Sequence, residues 1–214
     1  MFTTGFSTTP DGYIEEDTVS LEWMKKTADI YDCAIAGSIA YKDGDRNFNR
    51  LYFVKPGGEV TSYDKRHLFT YGGEHHRFTA GNERVTVSFR GVRFLLSVCY
   101  DLRFPVWLRN RDDYDAIICV ASWPSVRRLA WDTLTRARAI ENQCYVLAVN
   151  RTGEDVACKY NGGTVIINPY GETVEACRDG AADCISAELD MDLLKAYSLK
   201  FPVLEDADKF TLSI

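Results

Sequence analysis

The 214-residue chain contains no stretch of about eighteen consecutive apolar residues, so no segment is long enough to span a bilayer as a helix. Its first residues, Met1-Phe2-Thr3-Thr4-Gly5-Phe6, lack both the basic start and the apolar run of a secretory signal. These absences make a soluble, cytoplasmic protein the expectation. Basic residues come only in short pairs such as Lys25-Lys26 and Arg127-Arg128, without the density or interleaved aromatics of a nucleic-acid groove. Neither nucleic acid nor a membrane is expected as a partner. Histidine is scarce, at 67, 75 and 76 only, and the seven cysteines (33, 99, 119, 144, 158, 177 and 184) include no C-x-x-C pair. Metal-ligand spacing is missing, so no metal site is expected. Internal repeats, low-complexity segments and breaks in composition are also missing, which points to a single domain over residues 1–214.

What is present suits a packed core. Hydrophobic residues make up 46% of the chain and aromatics 13%, and the net charge of −6 is spread along it. Apolar spacing predicts a helix over residues 18–31, with Leu21, Met24, Ala28 and Tyr31 on one face and Asp17 or Thr18 as its cap. Strands are predicted at 33–41, 50–55, 60–63, 85–89, 92–98, 115–121, 144–150, 163–168, 172–175 and 182–189, and further helices at 105–110 and 130–142. Residues from 200 onward read as an extended arm. The stretch 92–98 is apolar almost throughout, as a strand buried on both faces would be. This mixture predicts a layered α/β architecture with helices outside and sheet inside. A doubly wound sheet and a four-layer sandwich both fit the pattern.

Chemistry is suggested first at Ser97-Val98-Cys99-Tyr100-Asp101-Leu102-Arg103-Phe104-Pro105. A buried strand ends at a cysteine, and a turn leads from it into a helix. Backbone N–H groups in such a turn favour negative charge, which would lower the thiol pKa from about 8.5 and stabilise an oxyanion. Polar Asp101 and Arg103 suggest an opening to solvent there. Cys99 is thus either a reactive thiol or a small buried hydrophobe, the ordinary reading of the other six cysteines. Asp64-Lys65-Arg66-His67-Leu68-Phe69 follows a short strand, and Glu74 lies in Gly72-Gly73-Glu74-His75-His76. Alone, such charges are most simply solvated surface.

Taken in order, these segments resemble the lysine and cysteine motifs of the nitrilase superfamily of carbon–nitrogen hydrolases. The likeness continues through Phe78-x-x-Gly81, Ala121-Ser122-Trp123-Pro124, Arg136-Ala137-Arg138-Ala139-Ile140-Glu141-Asn142, Val149-Asn150-Arg151-Thr152-Gly153, Asn168-Pro169-Tyr170-Gly171 and Phe201-Pro202-Val203-Leu204. It covers essentially the whole chain, and within the family it is greatest to bacterial ω-amidases, which act on 2-oxoglutaramate or 2-oxosuccinamate.

The resemblance implies an α-β-β-α sandwich and a Glu-Lys-Cys triad with a second glutamate. Cys99 would attack the amide carbon and form a thioester. Lys65 and the Tyr100 N–H would hold the oxyanion, and Glu74 would match the second glutamate, orienting the lysine and the base. Such enzymes need no metal or organic cofactor, take a small-molecule amide as partner, and commonly pair as homodimers. Arg103 is a candidate for the substrate carboxylate, which a guanidinium forks in two hydrogen bonds; an ion pair with Asp101 is its other reading. Trp123 would either wall the pocket or pack in the core. Alternative expectations are hydrolysis of another amide, a nitrile or an N-carbamoyl compound, or a non-catalytic binding homologue.

The family's general base immediately precedes the methionine of a Leu-Pro-Glu-Met-Phe-Thr-Thr-Gly-Phe type segment, whereas this sequence starts at Met1. The base, first strand and first helix are therefore expected to be missing, through a fragment, a misassigned start or a shortened homologue. Glu15 and Glu16 follow Pro10-Asp11-Gly12 in a loop and do not match the motif.

Overall fold

The computed structural model describes Gly5 and residues 19–213. Helix α1 (Val19–Tyr31) buries Met24 and Ala28, four residues apart on one face, against Ile39, Tyr52 and Val54. Full burial of a side chain such as Met24 contributes about 1.5–3 kcal/mol. Tyr31, expected on that face, is instead 72% exposed because the helix ends there. The expected caps at 17 and 18, and Glu15 and Glu16, lie outside the described residues.

Strands β1 (Ile35–Asp43) and β2 (Arg46–Val54) form an antiparallel hairpin through the two-residue turn Gly44-Asp45. Gly44 adopts φ +58°, as a tight hairpin turn requires. Strand β3 (Val60–Asp64) pairs with β2 and completes a three-stranded sheet. Side chains on β2 alternate between two apolar environments. Tyr52 and Val54 meet α1, while Leu51 and Phe53 enter the main core.

A second sheet has six strands. Running through the chain, they are β4 (Thr86–Phe89), β5 (Val92–Val98), β6 (Ala116–Ala121), β7 (Tyr145–Asn150), β10 (Val165–Ile167) and β11 (Thr173–Ala176); a small hairpin of β8 (Thr152–Glu154) and β9 (Lys159–Asn161) lies between β7 and β10. Spatially the order is β11-β10-β7-β6-β5-β4, with β5, β6 and β7 parallel and the flanking strands antiparallel. Helix α3 (Arg128–Asn142) is the crossover from β6 to β7, and it buries Trp131 and Ala139. Helix α1, the two sheets and α3 form the layers of an α-β-β-α sandwich. Their shared core includes Leu51, Phe53, Tyr63, Leu95, Ile117 and Val146.

Some local expectations change. The helix expected at 105–110 is the single turn α2 (Pro105–Leu108). No strand forms at 182–189, and residues 191–200, given no helix by the sequence reading, form α4 (Met191–Lys200). Asp190 caps α4 by accepting from the Leu193 N–H at 2.8 Å. Its ends are pinned by Tyr145 Oη donating to the Asp190 carbonyl and Gln143 Nε2 to the Phe201 carbonyl. The arm expected from 200 begins only beyond α4 and includes a turn near 203–206. No helix among the described residues is long and apolar enough to cross a membrane.

Candidate active site

Cys99 occupies the first position after β5, where the chain bends into a 3-10 turn over Cys99–Arg103. Its φ is +49°, a left-handed conformation that costs a non-glycine residue about 1–3 kcal/mol. The bend carries Cys99 out of the strand direction, with Sγ 3.9 Å from the Ser122 carbonyl at the end of neighbouring β6. Burial pushes the thiol pKa up, the nearby Lys65 ammonium lowers it, and Glu74 raises it again; the net shift is upward. This corrects the expected depressed thiol pKa. The turn is short and the following helix is one turn long, so little helix field opposes desolvation.

Asp101 explains how the bend is held. Its carboxylate is fully buried, so Asp101 does not mark the expected opening to solvent, whereas Arg103 is half-buried. Oδ2 accepts from Val98 N at 3.0 Å and Tyr63 Oη at 2.8 Å. Oδ1 accepts from His67 N at 2.9 Å and lies 2.8 Å from His67 Nδ1. One carboxylate thus ties the cysteine turn to β3 and to the segment after it. Beneath the turn, Arg138 of α3 donates from Nε and Nη2 to the Leu102 carbonyl at 3.0 and 2.7 Å. The Arg136–Asn142 motif therefore supports the cysteine turn.

Lys65 immediately follows β3 and is 2% exposed. Its Nζ lies 2.6 Å from Glu74 Oε2, and Glu74 is fully buried. The same oxygen accepts from Phe69 N at 2.6 Å, while Oε1 accepts from Asn49 Nδ2 at 3.1 Å. Desolvation works to lower the Lys65 pKa, but Glu74 and Cys99 outweigh it and hold the group above its ordinary value. Gly81 N donates to the Lys65 carbonyl at 3.0 Å. A Cβ at Gly81 would sit 2.1 Å from the Asp64 carbonyl oxygen, so this close approach requires glycine.

Beside the cysteine, Arg103 does not pair with Asp101. Its guanidinium lies 4.8 Å over the Trp123 ring. Trp123 is 3% exposed and packs 5.4 Å from Trp131, so it is a core residue that also carries Arg103. Asn150 fixes Trp123 by accepting from its N–H at 2.7 Å and donating to its carbonyl at 3.1 Å. Tyr100 is half-buried, with its ring 5.1 Å from Phe69.

The structure therefore brings Lys65, Glu74 and Cys99 to one locus, with Arg103 and Trp123 beside it. Sequence reading missed Asn49, Tyr63, His67, Asp101 and Arg138 as organisers. Only the motif positions of His67, Asp101 and Arg138 hinted at a role. Among the other cysteines, Cys119, Cys144 and Cys177 are buried and Cys33 and Cys158 half-buried. Cys184 is exposed, which corrects its reading as a buried hydrophobe. No group of three or more potential metal ligands occurs among the described residues.

Residues 1–198 match the family model for carbon-nitrogen hydrolases, and the chain belongs to that family. It is 47% identical over 215 residues to the omega-amidase YafV of Escherichia coli K12, covering 99% of this chain and 83% of the relative. Identity to the 2-oxoglutaramate amidase of Bacillus subtilis is 35% over 216 residues, covering 98% of this chain and 83% of that one. Among solved structures, XC1258 of Xanthomonas campestris, a CN-hydrolase superfamily protein with an arsenic adduct in its active site, superposes with a TM-score of 0.95 at 39% identity. That match covers 99% of this chain and 83% of the other.

Proposed function

We propose that the protein is an ω-amidase that releases ammonia from the monoamide of a small 2-oxo dicarboxylic acid, 2-oxoglutaramate or 2-oxosuccinamate. The observation that carries this reading is the buried Lys65–Glu74 pair, held at 2.6 Å on the same locus as the bent Cys99. Omega-amidase and 2-oxoglutaramate amidase relatives at 47% and 35% identity support the substrate class.

In the proposed cycle, Cys99 Sγ attacks the amide carbon, and the carbonyl π pair moves onto oxygen. The oxyanion is met by the Lys65 ammonium and the Tyr100 N–H, donors of a kind whose individual loss typically costs about 3 kcal/mol. On collapse the amide nitrogen takes the proton given up by the thiol and leaves as ammonia, giving a thioester; water then attacks the thioester, one of its protons returns the sulfur to the thiol, and the acid is released. Glu74 is the orienting glutamate: Asn49, Lys65 and Phe69 N–H engage its two oxygens, leaving it poorly placed to take the thiol proton. The resemblance implies a further glutamate, the family's general base, as the acceptor for that proton. Arg103 is the proposed carboxylate ligand and Trp123 the wall on which it rests. We also propose a cytoplasmic homodimer, on the resemblance alone.

The test is acid-quenched intact-mass analysis during turnover of 2-oxosuccinamate by the full-length enzyme. The expected result is an acyl adduct mapping to Cys99. An adduct on another residue, or steady-state turnover by Cys99→Ala, would refute the mechanism.

A further inference from the structure

Arginines that are half-buried here are almost all engaged. Arg50 pairs with Asp64, Arg84 with Asp113, Arg93 with Asp115, Arg128 with Asp132 and Asp179, and Arg151 with Asp155. Arg66 and Arg109 donate to the carbonyls of Gly81 and Glu141. Among the described residues, two half-buried guanidiniums depart from this pattern. Arg103 and Arg127 make neither an ion pair nor a side-chain hydrogen bond.

Both lie against aromatic rings. Arg103 is 4.8 Å over Trp123, and Arg127 is 5.3 Å over Phe69 and 5.5 Å over Tyr71. The two supports are joined, since Trp123 Nε1 donates to the Arg127 carbonyl at 2.8 Å. They also converge on Cys99. Trp123 follows Ser122, whose carbonyl is 3.9 Å from Sγ, and Phe69 packs 5.1 Å from Tyr100, the next residue after the cysteine. Ring contacts use none of the guanidinium N–H donors in a hydrogen bond, so both groups keep those donors for planar oxygen pairs.

We propose that Arg127 is a second anion-binding residue of this site and acts with Arg103 on the 2-oxo acid head of the substrate. Arg103 takes the carboxylate in a fork. Arg127, held against Phe69 and Tyr71, reaches the 2-oxo oxygen and the remaining carboxylate edge. The site thereby selects amides bearing a 2-oxo acid over neutral amides of equal length. This rests on the ω-amidase reading for the identity of the ligand.

The experiment has two arms. In the first, 2-oxoglutarate is titrated calorimetrically into Cys99→Ala and into Cys99→Ala/Arg127→Gln. The expected result is binding weakened by about tenfold or more in the double variant, with Arg127→Lys intermediate because it keeps charge but not the fork. In the second, the full-length enzyme and its Arg127→Gln form are compared on 2-oxosuccinamate and butyramide. The ratio of kcat/KM values between the two amides should collapse, chiefly through KM on the anionic one. Equal binding with and without Arg127, no binding to Cys99→Ala, or an unchanged selectivity ratio in a folded variant would each overturn the proposal. Arg127-dependent binding without turnover of any 2-oxo acid amide would refute the amidase reading and leave the anion site standing.

Discussion

Two segments meet at Cys99, and each is organised around one fully buried carboxylate. In the segment after β3, Glu74 faces a cation: Lys65 Nζ lies 2.6 Å from it, with Asn49 and Phe69 N–H completing the set. In the cysteine turn, Asp101 faces Val98 N, Tyr63 Oη and the backbone and ring of His67. The first arrangement fixes a charge, and the second fixes a backbone path. A buried ion pair contributes little net stability, yet removing one partner is expensive because the other charge is stranded. A carboxylate saturated by directional donors instead defines where the elements it joins must sit. Proposed chemistry and proposed scaffolding are thus divided between two similar side chains.

Both halves converge on the thiol, so Cys99→Ser carries the largest expected effect. It should lower kcat by about 10⁴-fold or more, without a change in melting temperature beyond a few degrees. Near-native ammonia release would break the whole comparison. On the charge side, Lys65→Met should lower kcat by about 10²–10³-fold and destabilise the fold by about 3–5 kcal/mol, measured by urea unfolding. The double variant Lys65→Met/Glu74→Gln should recover most of that stability and none of the activity, because it removes both buried charges. Recovery of activity would show that Lys65 serves structure alone.

On the path side, Asp101→Asn keeps the shape but places an NH₂ against a backbone donor whichever way the amide turns, Val98 N–H on one side and His67 N–H on the other. Stability should fall by about 1–3 kcal/mol. The expected loss in kcat is about 10–100-fold with KM little changed, since misplacement of about 1 Å is worth up to 10²-fold. An unaltered kcat in a destabilised protein would reduce Asp101 to packing.

The smallest effect expected is in pH dependence. Burial raises the Cys99 pKa and Lys65 opposes that rise, so alkylation by iodoacetamide should titrate above the ordinary thiol value of about 8.5. Lys65 favours the thiolate, so its replacement by Met should move the inflection further up. A downward shift would contradict the assigned electrostatics.

Legibility in the sequence follows the same division. Strands β5, β6 and β7 and helix α3 were readable because continuous apolar runs and 3.6-residue spacing are properties of the local sequence. Helix α4 was not, since its amphipathic stripe is weak and its ends are fixed by distant Gln143 and Tyr145. Lys65, Glu74 and Cys99 were legible as a set only through ordered motifs. Nothing local tells a buried lysine from a solvated one. Asp101 was misread for a similar reason: its four donors come from 63, 67 and 98, and only the fold brings the first two near. The upward thiol shift was missed because burial, a tertiary property, outweighs the turn's local field.

The central claim is that Cys99, beside the Lys65–Glu74 pair, hydrolyses the ω-amide of a 2-oxo acid. Its most direct test is ammonia release from 2-oxoglutaramate by the full-length enzyme, alongside its Cys99→Ala counterpart. The expected result is one ammonia and one 2-oxoglutarate per substrate, abolished by the substitution. Undiminished release by Cys99→Ala would contradict the claim. So would no release from folded full-length enzyme whose Cys99 still reacts with an alkylating agent.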